Sequence, residues 1–225
     1  MTEDNESGRQ RAGERAKALA TYLIDLSPDD MKRRLPEALR VYVDAMRYPR
    51  GTEDQRAALW LEHTRRAGWK CVAAVEHTSP VAPPSDAEAG AGPTGPELLD
   101  APLQGIAYGY RGAPDQWWQQ QVISGLQRIG TRQDRIAELM ASYFELTELH
   151  IEPRAQGRGL GEALTRRLLA DRPESHVLLS TPEIYGESNR AWQLYRRLGF
   201  TDVIRGYHFA GDPRPFAILG RPLPL

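Results

Sequence analysis

From residue 35 onward, apolar side chains recur at the spacing of one helix face: Leu35, Ala38, Leu39, Tyr42, Val43 and Met46. Just upstream, Ser27 followed by Pro28 marks a helix start, and Pro36 either bends that helix or begins the next. Residues 14–25 are expected to form an earlier helix, after a polar, mobile start over residues 1–13. Tyr48-Pro49-Arg50-Gly51 breaks the pattern, and Thr52 with Gln55 reads as a capping box for a second helix ending near Arg66. Residues 69–75 then read as a buried strand and Leu103–Arg111 as another. Residues 79–96, crowded with Pro, Ala, Gly and small polar side chains, read as a disordered insertion. A wet helix is expected over 115–129. Thr131 with Asp134 is expected to cap another, with Ile136, Leu139, Met140 and Tyr143 on its apolar face. Tyr143–Ile151 and 176–180 read as strands, with a helix carrying Leu160, Ala163, Leu164 and Leu168 between them. Residues 188–198 form a last helix, with Ala191, Leu194, Tyr195 and Leu198 in register and Gly199 as its stop. Residues 200–209 and 216–219 look like a closing strand pair. Helices first, then strands alternating with helices, imply an α/β (α+β) fold, a mixed sheet covered by helices. A partly disordered, partly helical extension over 1–34 precedes the main domain at 35–225.

Bulk composition narrows the function classes. A formal net charge of −1 gives no electrostatic case for nucleic acid. No apolar run approaches the ~20 residues of a membrane helix, and the N-terminus lacks the pattern of a signal peptide. The single cysteine, Cys71, rules out an internal disulfide framework. A cytoplasmic protein is the expectation. The five histidines show no metal-ligand spacing, so no metal is expected.

The chemistry concentrates at Gln156-Gly157-Arg158-Gly159-Leu160-Gly161. This stretch directly follows a predicted strand and opens a helix. Glycines there allow a sharp turn and expose bare amides. The first N–H groups of the helix have no partner within it and carry the positive end of its dipole. The arrangement suits a phosphate or pyrophosphate. A dinucleotide fold would want this turn at the first strand, with an acidic residue at the end of the next strand, where this chain has Ser180, Thr181 and Pro182. A P-loop would need a Gly-Lys-Ser/Thr run, which is absent.

The block from Leu149 to Gly161, with Gln156, Gly159 and Gly161 at the spacing Gln-x-x-Gly-x-Gly, resembles the acyl-CoA signature of the GCN5-related N-acetyltransferases. A later block, with Asn189, Ala191–Trp192, Tyr195 and Leu198-Gly199-Phe200, resembles the second signature of that family. The resemblance covers residues 107–225 and extends plausibly to 35–75. It implies a mixed, mostly antiparallel sheet flanked by helices, acetyl-CoA as co-substrate, a small-molecule or protein amine as acceptor, and room for a homodimer. It also implies that Gly157, Arg158, Gly159, Leu160 and Gly161 cradle the pyrophosphate, with Arg154 a weaker helper than Arg158. The Leu149–Ile151 strand edge would pair with the pantetheine chain, Asn189 would contact it, and a bulge would splay the central strands.

Within the resemblance, Tyr195 is the expected general acid, facing the sheet beside Ala191 and Leu198; without it, a core tyrosine is the better account. Glu145 ranks first and Glu148 second as base, since an amine of pKa ~10 is mostly protonated at neutral pH. A structural glutamate paired with Arg explains each about as well. Strict alternation puts the two glutamates on opposite faces, and a bulge would change that. Cys71 and His150 read as packed strand residues. Trp117 and Trp118 either lid an acceptor pocket or anchor their helix. A non-catalytic acyl-CoA sensor of the same fold, and a transferase of longer acyl chains, are the rival readings.

Overall fold

The computed structural model describes residues 18–79, 96–183, 187 and 189–225. The polar start over 1–13 and nearly all of the 79–96 insertion lie outside these residues.

The helix expected over 14–25 is a strand where it is described. β1 (Ala18–Leu26) pairs antiparallel with β2 (Lys70–Ser79) along its whole length. Tyr22, Ile24 and Leu26 alternate inward, while Leu19 stays exposed. The run of Leu, Ile and Tyr satisfies either period, and pairing along the β2 edge decides the outcome. α1 (Pro28–Met46) follows directly, capped by Ser27, which exchanges reciprocal bonds with Asp30. Pro36 neither breaks nor restarts it, so α1 runs unbroken across residues 34 and 35. α2 (Thr52–His63) ends three residues early and lacks the expected capping box. Gly51 is its N-cap, the Thr52 hydroxyl donates to the Pro49 carbonyl, and Glu53 accepts from the Gly51 amide.

After a short α3 (Pro96–Asp100), β3 (Leu103–Arg111) matches its expected span. α4 (Trp117–Arg128) and α5 (Gln133–Ala141) come next. The expected Thr131 cap on α5 does not form, because Arg132 is the N-cap and its guanidinium takes up the Asp134 carboxylate. Tyr143 begins β4 (Tyr143–Ile151) instead of ending that helix. A 3-10 turn (Pro153–Ala155), α6 (Leu160–Leu169), β5 (His176–Pro182), α7 (Arg190–Arg197), β6 (Thr201–Tyr207) and β7 (Phe216–Pro222) complete the chain.

The seven strands form one sheet in the order β1-β2-β3-β4-β5-β7-β6, antiparallel except at β4–β5. One face carries α1 and α2 over β1–β4, around Tyr42, Trp60, Ile106 and Tyr108. Along the same face, Trp118, Val122 and Ile136 from α4 and α5 pack on Leu178 and Ile218. The opposite face carries α6 and α7, which bury Leu164, Leu168, Trp192 and Tyr195 against Phe144, Val177 and Leu219. Among the described residues no helix is long and apolar enough to cross a membrane.

Candidate active site

The site begins with an extra residue in β4. Tyr108 of β3 faces Glu148, but the next residue, Gly109, faces Leu146, which leaves Thr147 without a counterpart. Beyond this bulge the side chains of β4 change face. Leu149 and Ile151 pack with the α6–α7 side, while His150 packs with Tyr42 and Trp60. Glu145 and Glu148 therefore share the α1–α2 face. Gly109 permits the bulge, because a Cβ there would collide with the Glu145 carbonyl oxygen and the Phe144 ring. A glycine inside a strand is the sequence signal of such a close approach.

The two central strands then part. β4 and β5 pair only from Tyr143–His176 to Glu145–Leu178, after which β5 continues beside β7 alone. The β4 edge over 146–151 is left without a strand neighbour on that side, including Leu149 and Ile151. At its far end the Gln156 amide donates to the Ile151 carbonyl and accepts from Arg190 Nη1, each at 3.2 Å. Gly157 and Gly159 hold φ of 81° and 79°, the left-handed region where L side chains are strained. Gly159 is the N-cap of α6 and supplies no side-chain cap, and a Cβ on it would meet nothing within 4 Å. The first amides of α6, those of Leu160 and Gly161, thus receive no side-chain cap. Gly161 packs close to α7: its would-be Cβ lies 3.1 Å from the Leu194 side chain, which would have to shift by a few tenths of an ångström to admit it. These features fit a pyrophosphate on the loop and an extended amide chain on the β4 edge.

Arg158 departs from its expected place. Its guanidinium turns to Thr21 of β1 and Glu76 of β2, which ties the loop to the sheet edge. Arg190, at the head of α7, brings its guanidinium within 3.9 Å of where a Cβ on Gly157 would lie, and no sequence signal assigned it a role. Asn189 caps α7, its Oδ1 accepting from the Trp192 amide at 2.9 Å.

The two glutamates live in different surroundings. Glu145 is buried; its only side-chain hydrogen bond among the described residues is a long one from Tyr110, at 3.5 Å, and its Oε2 has none. Burial pushes its carboxyl up to about 8, against the smaller opposing effects of Tyr110 and Arg66. Glu148 accepts from or shares a proton with His150 Nε2 at 2.5 Å. Its charge is felt by Tyr42 and Arg56 on one side and by Tyr195 on the other. Nearby, His63 Nδ1 lies 3.0 Å from the Tyr108 hydroxyl, and burial lowers the pKa of that imidazole. Tyr195 is buried on α7, and burial, followed by the Glu148 charge, holds its phenol well above the ordinary tyrosine range.

A cleft of about 520 Å³ opens where α1 and α2 meet the β6–β7 connection, walled by Tyr42, Arg56, Leu59, Asp212 and Arg214. Glu148 lies behind this wall, its partner His150 packed edge-on against Tyr42. The sequence located Tyr42 only as part of an apolar helix face, and the cleft residues 211–214 carried no motif. Trp117 and Trp118 lie elsewhere. Trp118 is buried against Tyr143 and its indole N–H reaches Ser180, while Trp117 stays exposed beside Phe209. The pair anchors α4. Cys71 is buried and its thiol is pushed up by burial, as for a packed core residue. Among the described residues no group of three or more His, Cys, Asp or Glu could hold a metal ion.

A splayed β4–β5 pair, with a glycine loop at the end of the freed β4 edge, is the architecture of an acetyltransferase fold. No family model matches the chain. It is 70% identical over 207 residues, 92% of this chain and 100% of the relative, to a GCN5-like protein acetyltransferase of Mycobacterium tuberculosis. The chain belongs to the GCN5-related acetyltransferase family. Solved structures agree in fold. A GNAT-family acetyltransferase from Desulfovibrio desulfuricans superposes at TM-score 0.52 and 17% identity, covering 91% of this chain and 99% of that one. The Arabidopsis thaliana NAA60 complex with acetyl-CoA superposes at TM-score 0.53 and 15% identity, covering 91% and 99%.

Proposed function

We propose that this chain is an N-acetyltransferase that moves the acetyl group of acetyl-CoA directly to a primary amine, in a complex holding both substrates, and that the amine belongs to a polypeptide. The single observation that carries the reading is the parting of β4 from β5 after Glu145, which frees the β4 edge that runs on to the glycine loop. The name of the mycobacterial relative, a protein acetyltransferase, supports a polypeptide acceptor.

The amides of Gly157–Gly161 hold the pyrophosphate, with Arg190 beside them and Gln156 bracing the turn. The β4 edge at Leu149 and Ile151 binds the pantetheine amides as an added strand would. The nitrogen of the Asn189 amide is the group left for that arm, since its oxygen caps α7. Acetyl-CoA supplies an activated acyl thioester. Glu148 takes the proton of the incoming ammonium, and His150 orients the carboxylate from the far side. Glu148 is preferred over Glu145 as base because Tyr42 and Arg56, which wall the cleft, both feel its charge. Tyr195 keeps its proton at neutral pH and delivers it to the departing sulfur. The buried Cys71 thiol supports direct transfer over an acyl-cysteine route.

The test is calorimetric titration with CoA and acetyl-CoA, using the parent chain and Gly159→Glu, followed by an amine and peptide panel with Tyr195→Phe. Binding that weakens at least about 100-fold in Gly159→Glu, roughly 2.7 kcal/mol, puts the cofactor on the loop. Binding with no turnover on any amine would favour an acyl-CoA sensor. No binding at all would sink both readings.

A further inference from the structure

We propose that Arg56 is a specificity residue that reads a carboxylate next to the acceptor amine, so that the preferred acceptor is a lysine with an Asp or Glu beside it in the polypeptide. The inference rests on the acetyl-transfer reading above. It starts from the charges that face the cleft. Arg56 and Arg214 are its two cations, Asp212 its one wall carboxylate, and Glu148 lies beyond. Arg214 is fully engaged. Its Nε and Nη2 bind the two oxygens of Asp212 at 2.9 and 2.6 Å, and its Nη1 donates to the Tyr48 hydroxyl at 3.0 Å. The Asp212 oxygens are thereby occupied as well.

Arg56 differs. It is half-buried, and among the described residues no carboxylate comes within ion-pair distance of it. Its guanidinium carbon sits 5.7 Å from the centre of the Tyr42 ring, and a hydrogen bond to the Tyr42 hydroxyl fixes the planar group while engaging only part of its donor set. Around it, Thr52 and Gln55 are neutral. The wall therefore presents one guanidinium that no carboxylate pairs with among the described residues, with the carboxylate that receives the ammonium in electrostatic range. An acceptor that matches both groups carries an ammonium and, a short distance away, an anion. A lysine side chain extended through the cleft toward Glu148 would leave the side chain of its sequence neighbour among the lining residues, Arg56 included. Guanidinium and carboxylate match as a fork, which is why a carboxylate fits better than a neutral amide.

The experiment compares kcat/KM for capped peptides with one lysine, matched in pairs with Glu or Gln as neighbour. The parent enzyme, Arg56→Gln and Arg56→Lys are run with saturating acetyl-CoA. The expected result is a preference of about tenfold for the Glu peptide, corresponding to about 1.4 kcal/mol and carried in KM. It falls to near unity in Arg56→Gln and is partly restored in Arg56→Lys. Raising salt from 0.05 to 0.5 M shrinks the parent ratio and leaves that of Arg56→Gln unchanged. Equal rates on both peptides with the parent would overturn the inference while leaving acetyl transfer intact. So would a preference that survives in Arg56→Gln. If Arg56→Gln instead moves the pH profile equally on both peptides, Arg56 is the counter-charge of Glu148 and no reader of the acceptor. Tight acetyl-CoA binding with no turnover on any peptide would remove the polypeptide reading, and this inference with it.

Discussion

Replacing Glu145 by glutamine separates two roles that a carboxylate on a central strand can have. The folded chain holds the Glu145 carboxyl at about 8, raised from 4.5 by burial. In the unfolded chain the same group loses its proton near its ordinary value. Between those two pH values the folded state binds one proton more than the unfolded state, so stability falls as pH rises, by about 1.4 kcal/mol per unit. The whole rise corresponds to about 5 kcal/mol, a large share of the roughly 5–15 kcal/mol that holds a domain together. That stability is present below about pH 4.5 and gone above about pH 8. Glutamine has no proton to lose. The stability of Glu145→Gln relative to the parent should therefore be least at pH 5 and climb by several kcal/mol up to pH 8, then level off. Urea unfolding followed by tryptophan fluorescence, at unit steps from pH 5 to 9, reads the difference directly. A difference that stays flat across this range would refute the reasoning, because it would mean that Glu145 titrates as an ordinary carboxylate. Activity gives the second readout. If Glu148 is the base, Glu145→Gln retains turnover at pH 7.5, and a loss of 100-fold or more, on the order expected for general-base removal, would return that role to Glu145.

Three further outcomes follow from the same geometry. Tyr195→Phe should lower kcat by about 100-fold while leaving the acetyl-CoA Kd from calorimetry within a factor of about two, since only a proton donor is removed. Gly109→Ala should cost more than about 3 kcal/mol in chemical denaturation, because its Cβ has no place beside the Glu145 carbonyl and the Phe144 ring. Glu174→Ala should cost about 3–5 kcal/mol at pH 7, since it strands the nearly buried Arg172 that it binds at 2.8 Å. Burial pushes the Glu174 carboxyl up, but the bonds from Arg172 and Arg111 outweigh it and hold the group below its ordinary value. Its contribution is therefore present above the ordinary glutamate pKa and lost as pH falls through the lowered one, so the Glu174→Ala penalty should shrink toward pH 3.

The parts of the fold that were legible are those in which local chemistry and burial agree. Leu103–Arg111 and Tyr143–Ile151 are short, rich in aromatic and aliphatic residues and without helical periodicity, and Ser27 with Pro28 marks a helix start. The glycine loop was legible because a positive φ at Gly157 and Gly159 leaves a residue-level mark. β1 was misread because its apolar residues satisfy both periods, and the partner that selects the strand lies about fifty residues away. The two false caps, at Thr52 and Thr131, share a cause. A cap needs the backbone to arrive at the right angle, and Gly51 and Arg132 set that angle instead. The acceptor cleft was the least legible part. Arg56 and Arg214 gain meaning only when α2 and the β6–β7 connection meet over Glu148, and no spacing along the chain encodes that meeting.

The extra residue at Thr147 makes this site depend on counting. Most substitutions in β4 would alter one side chain and leave its neighbours where they are. Pairing the same nine residues in strict alternation, with none left over at Thr147, would alter no chemistry and yet reassign every later side chain of the strand. Leu149 and Ile151 would turn toward the Tyr42 cluster, and Glu148 and His150 would turn toward the α6–α7 core. A sequence comparison scoring residue identity would not see such a slip at all. Deleting Thr147, by contrast, would keep Leu146 opposite Gly109 and Glu148 opposite Tyr108, and so leave the faces as they are. Gly109, which gives the extra residue its room, is then a sharper mark of a working site than the identity of most residues in β4.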